Sequence, residues 1–143
     1  MKYYDGGEIG RILILELDRG EDIFDEVEKA LKKSNIANAY IASAVGSVEH
    51  LEYHRPTDLG AATEDEMMSI EGPFEFGGVT GTVINGVPHF HFSAGGVSGN
   101  YLGHLERGTR VLYLLELLII EITGFDLERK LTKEKVNKLF PRV

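Results

Sequence analysis

Residues 81–105 read GTVINGVPHFHFSAGGVSGNYLGHL and carry three of the five histidines in this chain of 143 residues. Within this stretch, Asn85-Gly86 separates two runs of alternating apolar residues, a pattern typical of a tight β-hairpin turn. The chain is therefore expected to return on itself, with Val87 to Ala94 forming a strand antiparallel to the one that ends at Ile84. An antiparallel sheet is the predicted setting for these histidines.

Other segments have the same strand character, because they are rich in β-branched and aliphatic residues and are broken by glycine. Gly77-Gly78 and Gly95-Gly96 are interpreted as bends or bulges in a strongly curved sheet. Neither pair is followed by a helix, as a phosphate-binding loop would require. The further predicted strands are Arg11 to Leu17, Ala37 to Val45, Val48 to His54, Met67 to Phe76, Gly78 to Ile84 and Arg110 to Ile122.

Two helices complete the predicted fold. Ile23, Val27 and Leu31 recur at helical spacing, which predicts an amphipathic helix near the N-terminus. Thr132 to Phe140 is interpreted as a short C-terminal helix. We therefore expect a single domain over residues 1–143, of class α+β, with a mainly antiparallel, strongly curved sheet, one long N-terminal helix and a short C-terminal helix.

Composition narrows the possible functions. Acidic residues outnumber basic ones by 23 to 15, and the net charge of -8 opposes binding to nucleic-acid phosphates. Cysteine is absent, so a transition-metal site would depend on His, Asp and Glu. The most apolar segment, Val111 to Ile122, contains two glutamates and is shorter than the roughly 20 residues of a membrane span. Since the N-terminus also lacks the pattern of a signal peptide, we expect a cytoplasmic protein with no membrane segment.

The spacing of the histidines points to metal chemistry. His89 and His91 lie two residues apart on one strand, so their side chains share a face with Cα atoms roughly 6.6 Å apart, close enough for both imidazoles to bind one ion. His104 follows after a glycine-rich loop that can present a third imidazole. The alternative is that His89 and His91 lie on a solvated strand face and His104 only ends a loop.

Other ionisable residues have weaker signals. His50 and His54 are about 13 Å apart along a strand, too far for one ion, and are interpreted as surface histidines, though either could line a neighbouring cleft. Glu75 in GPFEF and Glu116 in VLYLLELLII interrupt apolar strands. Each is a candidate to orient a ligand histidine or to transfer protons beside a metal, and the alternative is an edge-exposed or interface carboxylate.

Taken in order, several motifs resemble the plant and prokaryote conserved (PPC) domain family. They are GEDIFDEVEKAL, AYIASAVGSVEHLEY, GPFEF, the stretch GTVINGVPHFHFSAGGVSGNYLGHL and the final apolar strand. The resemblance implies a homotrimer and a fold similar to that of acetolactate decarboxylase, and it assigns His89, His91 and His104 as ligands of a zinc ion. Leu102 stands where the family commonly has a glycine.

The resemblance leaves the biochemical role open. The leading hypothesis is a trimeric protein with a three-histidine divalent metal site, with Zn²⁺ as the expected ion. One alternative is a metal-dependent enzyme, a lyase or hydrolase acting on a small molecule, and another is a DNA-binding or transcription-associated protein. The last is disfavoured, because the chain is acidic and has no Arg-Gly-Arg core of an AT-hook. The segment Gly72 to Gly77 is a further candidate for contacting a partner protein. It resembles the partner-binding hexapeptide of plant members, Gly-Arg-Phe-Glu-Ile-Leu, but lacks its Arg and Leu.

Overall fold

The computed structural model describes residues 1–143, of which 64% lie in strands and 8% in a single helix. The helix, with 11 residues, is neither long nor apolar enough to cross a membrane. The elements in chain order are β1 (Glu8–Asp18), α1 (Ile23–Lys33), β2 (Ala39–Pro56), β3 (Asp65–Ile84), β4 (Val87–Gly96), β5 (Gly99–Leu105), β6 (Arg110–Thr123), β7 (Leu127–Leu131) and β8 (Asn137–Pro141).

Six strands form one antiparallel sheet in the order β1-β6-β2-β3-β4-β5. Strand β2 is long enough to use the same edge twice, pairing with β6 over its first part and with β5 at Tyr53 and His54. Strands β2, β3, β4 and β5 therefore close on one another at one end of the sheet. This closure brings residues that are far apart in sequence to one place.

Helix α1 packs its apolar residues against the core face of the sheet. The side chain of Asp22 caps it by accepting hydrogen bonds from the backbone N–H groups of Phe24 and Asp25, at 2.8 and 3.1 Å. Its apolar stripe is buried, and Phe24 packs on Phe90 of β4 with ring centroids 5.2 Å apart. The core of the protein thus lies between α1 and the inward face of the sheet.

The predicted α+β class, with a long N-terminal helix and a short C-terminal helix, is wrong. The antiparallel sheet dominates the fold, and α1 ends after three turns at Ser34, where Asn35 takes a left-handed φ of 53°. The second predicted helix is the β7–β8 hairpin instead. Its turn is closed by a hydrogen bond from Thr132 N–H to Val136 C=O of 3.0 Å, so the backbone of this segment is satisfied by cross-strand pairing.

Two of the predicted strand breaks, at Gly46-Ser47 and at Gly77-Gly78, are bulges within the continuous strands β2 and β3. Gly46 lies inside β2, where the register with β6 shifts, and it adopts a φ of 146°. A Cβ atom at Gly46 would collide with the Leu114 carbonyl and lie 2.8 Å from the Leu115 Cα. Glycine is therefore required because two backbones approach too closely for any side chain.

Candidate metal centre

Four histidines meet where β2, β5 and β4 lie side by side. In the strand register His104 of β5 is directly opposite both His54 of β2 and His91 of β4. His89 lies two residues from His91 on the same face of β4, as strand alternation predicts. The closure of the sheet is what adds His54 to the three histidines predicted from the sequence.

The three predicted histidines form a nearly equilateral triangle. The ring centroids are 5.3 Å apart for His89 and His91, 4.9 Å for His89 and His104, and 5.4 Å for His91 and His104. A tetrahedral zinc ion with Zn–N bonds of about 2.0–2.1 Å would hold the centroids of three imidazoles roughly 5 Å apart. The centroid spacing of His89, His91 and His104 is thus compatible with one shared ion.

The opposite face of β4 fixes this arrangement. Phe90 and Phe92 are buried in the core, with 0% and 5% of their surface exposed, and they alternate with the two histidines. Gly103 of β5 allows the neighbouring strand to approach, because a Cβ there would lie 2.6 Å from the carbonyl oxygen of His54. The histidines are therefore held by a rigid strand and a close strand contact.

Glu106 adds a carboxylate to the group. Its Oε1 accepts a hydrogen bond from Nδ1 of His54 at 2.6 Å. Nδ1 of His104 lies 3.1 Å from the same oxygen, but the geometry is not that of a hydrogen bond, so this buried nitrogen has no partner. Ligand atoms of His54, His104 and Glu106 all lie within 4.8 Å of one another, and no other set of three histidine or acidic side chains meets this condition. These residues are therefore an alternative donor set that shares His104 with the predicted one.

The surroundings favour neutral imidazoles, the form that binds metals. Burial, together with the nearby Arg129 guanidinium and the other histidines, lowers the pKa of His89 to about 4. Burial and the adjacent His54 also lower the pKa of His104. At neutral pH these rings therefore offer free lone pairs to a cation.

The histidines open into a cavity of about 870 Å³, within the range of small-molecule sites. Its wall comes from strands β2, β4 and β5 and from the β7–β8 hairpin, which contributes Arg129, Lys135 and Val136. A small molecule in this cavity could contact the histidines and the hairpin together. The geometry is that of a binding site and not of a closed structural metal site.

The other residues singled out from the sequence lie elsewhere. Glu75 and Glu116 are exposed and do not line the cavity, and Glu116 faces Glu16 across the β1–β6 pair. The proton-transfer role predicted for them has no support from their positions. In the Gly72 to Gly77 segment, Phe74 and Phe76 are buried, so a partner protein could reach only the residues between and beside them.

His50 and His54 belong to separate groups. The ring of His50 lies between two carboxylates, with Nδ1 2.7 Å from Glu71 and Nε2 2.6 Å from Glu52. His50 is also 8% exposed, so it is a buried histidine and not the expected surface one. His54 does line a cleft, which the sequence left open as an alternative.

Sequence reasoning missed Glu106 and Arg129, and it considered His54 only as a histidine that could line a cleft and not as part of the histidine group. Glu106 could have been found, because it lies two residues after His104 and strand alternation places both on one face. His54 depended on the pairing of β2 with β5, which spans about 50 residues of sequence. Arg129 was hidden because its segment was not recognised as a strand.

These features define a class of protein, a predominantly antiparallel β-fold with a histidine pocket at the closed end of its sheet. Residues 4–123 match the Plants and Prokaryotes Conserved (PCC) domain, and the chain belongs to that family, which confirms the resemblance seen in the sequence. Strands β7 and β8 lie after the matched region. The chain has no significant match among the curated proteins.

Solved structures share the fold. A plant- and prokaryote-conserved protein from Pyrococcus horikoshii is 22% identical, with a TM-score of 0.81 and 99% of each chain covered. A metal-containing protein from Archaeoglobus fulgidus is 24% identical, with a TM-score of 0.81 over 94% of this chain and 95% of that chain. A Bacteroides thetaiotaomicron protein provisionally described as DNA-binding is 14% identical, with a TM-score of 0.75 over 94% and 96% of the chains. At these identities the likeness shows the fold alone.

Proposed function

We propose that this PCC-domain protein binds a divalent transition-metal ion through His89, His91 and His104. The observation that carries the proposal is the triangle of ring centroids, whose sides of 4.9 to 5.4 Å match those of three imidazoles on one tetrahedral ion. The unpartnered buried Nδ1 of His104 supports a metal ion in this pocket, because a buried polar nitrogen without a partner is costly, and it is common to both donor sets. The metal content described for the Archaeoglobus fulgidus protein, which has the same fold, agrees with it.

Three imidazoles suit zinc and leave a coordination position for a ligand from the cavity. Such an ion supplies Lewis-acid chemistry to a bound small molecule. Glu106 accepts a hydrogen bond from His54 and lies 3.1 Å from Nδ1 of His104 without a hydrogen bond to it. A metal-dependent reaction on a small molecule is therefore the enzymatic form of this proposal.

The test is a zinc titration of the metal-free, tag-free protein against a chromophoric chelator. Wild type is compared with a His89→Ala, His91→Ala double variant and with Thr80→Ala, a control at the position opposite His91 on β3. We expect zinc binding in wild type and in the control and its loss in the double variant. Unchanged affinity in the double variant would place the ion on His54, His104 and Glu106 instead, and no binding in wild type would refute the proposal.

We also propose that the chain assembles with copies of itself, as the family resemblance implies for a homotrimer. Strand register aligns Ile12 with Ile120 and Ile14 with Leu118 on the outer face of β1 and β6, and Ile12 and Ile14 are 63% and 77% exposed. A contiguous apolar strip of this kind is typical of an interface. Light scattering should give a trimer for wild type and a monomer for Ile14→Glu, and a wild-type monomer would contradict this assembly.

The charges do not favour the DNA-binding alternative. The net charge is -8, and every arginine except Arg129 is paired with a carboxylate. Few cations are therefore free to replace the counterions of a phosphate backbone. DNA affinity that falls steeply with added salt would reverse this conclusion.

A further inference from the structure

Arg129 is the only arginine of this acidic chain that is not paired with a carboxylate. It projects from β7 into the wall of the histidine cavity, and no carboxylate lies within ion-pairing distance of it. Its Nη2 donates to the Thr82 hydroxyl at 2.9 Å, and Thr82 is directly opposite His89 in the register of β3 and β4. The guanidinium therefore lies beside the histidines.

This guanidinium is only partly satisfied. Its Nε is buried and has no hydrogen-bond partner, and burial lowers the pKa of Arg129. A partly buried cation without a counter-charge is destabilising, so native proteins normally pair it. If Arg129 served only to hold the hairpin to the sheet, the contact with Thr82 would be enough, and the unpaired Nε would have no explanation.

The acids of the cavity wall do not supply the missing charge. Asp65 accepts a hydrogen bond from Thr63 at 2.9 Å, and Glu106 accepts one from His54 at 2.6 Å. A second cation, Lys135, also lines the cavity and has no carboxylate partner. Arg129 and Lys135 thus give this part of the cavity wall positive charge that no carboxylate of the chain neutralises. A bound anion would supply the missing counter-charge.

The remaining wall indicates what kind of anion this is. Val87, Pro88, Leu102 and Val136 give the cavity an apolar part that suits a short carbon skeleton. A guanidinium presents a planar pair of donors that matches the two oxygens of a carboxylate. We propose that the cavity binds a small organic carboxylate, with its acid group on Arg129 and the rest of the molecule toward the histidines.

This inference assigns a class of ligand to the cavity that contains the proposed metal site. It rests on the proposed function only in placing a metal ion beside the bound carboxylate. The experiment is calorimetric titration of the full chain with acetate, propionate and succinate, with inorganic phosphate and the neutral succinamide as comparison probes. The protein is stripped of metal with a chelating resin, because soluble polycarboxylate chelators would compete for the same cavity. Each titration is repeated after loading with zinc.

We expect at least one of the carboxylates to bind, with affinity reduced roughly tenfold to a hundredfold in Arg129→Met, as for loss of a hydrogen-bonded charge. Arg129→Lys should retain part of the binding. Arg142→Met is the matched control, because Arg142 follows β8 in the same C-terminal segment, is paired with Asp126 and does not line the cavity. Succinamide should not bind.

A second measurement separates ligand binding from a structural role. If Arg129 carries an uncompensated charge, Arg129→Met should unfold at the same temperature as wild type or higher, whereas a purely structural contact predicts a lower one. No binding by any carboxylate, equal binding by Arg129→Met, or stronger binding of phosphate would each overturn the proposal. If the metal-free protein binds a carboxylate but takes up no zinc, only the metal site is refuted. If the protein binds zinc but no carboxylate, only this inference is refuted.

Discussion

Replacing Glu106 with glutamine tests how the histidines are held. The carboxylate accepts a hydrogen bond of 2.6 Å from Nδ1 of His54 and lies 3.1 Å from Nδ1 of His104. Glutamine keeps the size of the side chain but removes the negative charge that accepts from His54 and lies beside His104. Loss of a carboxylate that orients ligand histidines typically costs 10- to 100-fold in metal affinity.

We therefore expect the zinc dissociation constant of Glu106→Gln to rise by about 10- to 100-fold, or roughly 1.4–2.7 kcal/mol. Competition with a chromophoric chelator measures it, with circular dichroism confirming the fold. Glu75→Gln is the control, because Glu75 is exposed and does not line the cavity. Wild-type affinity in Glu106→Gln would refute the orienting role, and complete loss of binding would make Glu106 a ligand.

Three further predictions concern the framework. Gly103→Ala places a Cβ 2.6 Å from the carbonyl oxygen of His54, so zinc affinity should fall as β5 moves away, and unchanged affinity would refute the close-contact argument. Phe90→Ala should lower the free energy of unfolding by about 3–5 kcal/mol in urea denaturation, and a loss below 1 kcal/mol would contradict its place in the core. Hydrogen bonds from Arg11 hold the pKa of Glu121 at about 2, so the pair contributes stability above the ordinary carboxylate pKa that is lost as pH falls toward 2. The difference in unfolding free energy between wild type and Arg11→Leu should therefore shrink over that range, and a gap that widens in acid would refute the pairing.

Local patterns were enough to predict the antiparallel sheet and the pairing of His89 with His91. Asn85-Gly86 forms the turn between β3 and β4, and alternation along β4 sends the phenylalanines inward and the histidines outward. These features depend only on neighbouring residues. They can therefore be read from one sequence.

The rest of the site depends on contacts distant in sequence. His54 joins the group because the end of β2 pairs with β5, and nothing near His54 in the sequence encodes that pairing. The short helix predicted over Thr132 to Phe140 lies within the β7–β8 hairpin, whose Lys, Leu and Glu residues favour helices. Pairing of its two strands overrides that preference and brings Arg129 to the cavity.

The most direct test of the metal site is a crystal structure of the tag-free, zinc-reconstituted protein with anomalous data at the zinc absorption edge. We predict an anomalous peak bonded to one nitrogen each of His89, His91 and His104, at about 2.0–2.1 Å. A peak bonded instead to His54, His104 and Glu106, or no peak in the histidine pocket, would contradict the proposed site.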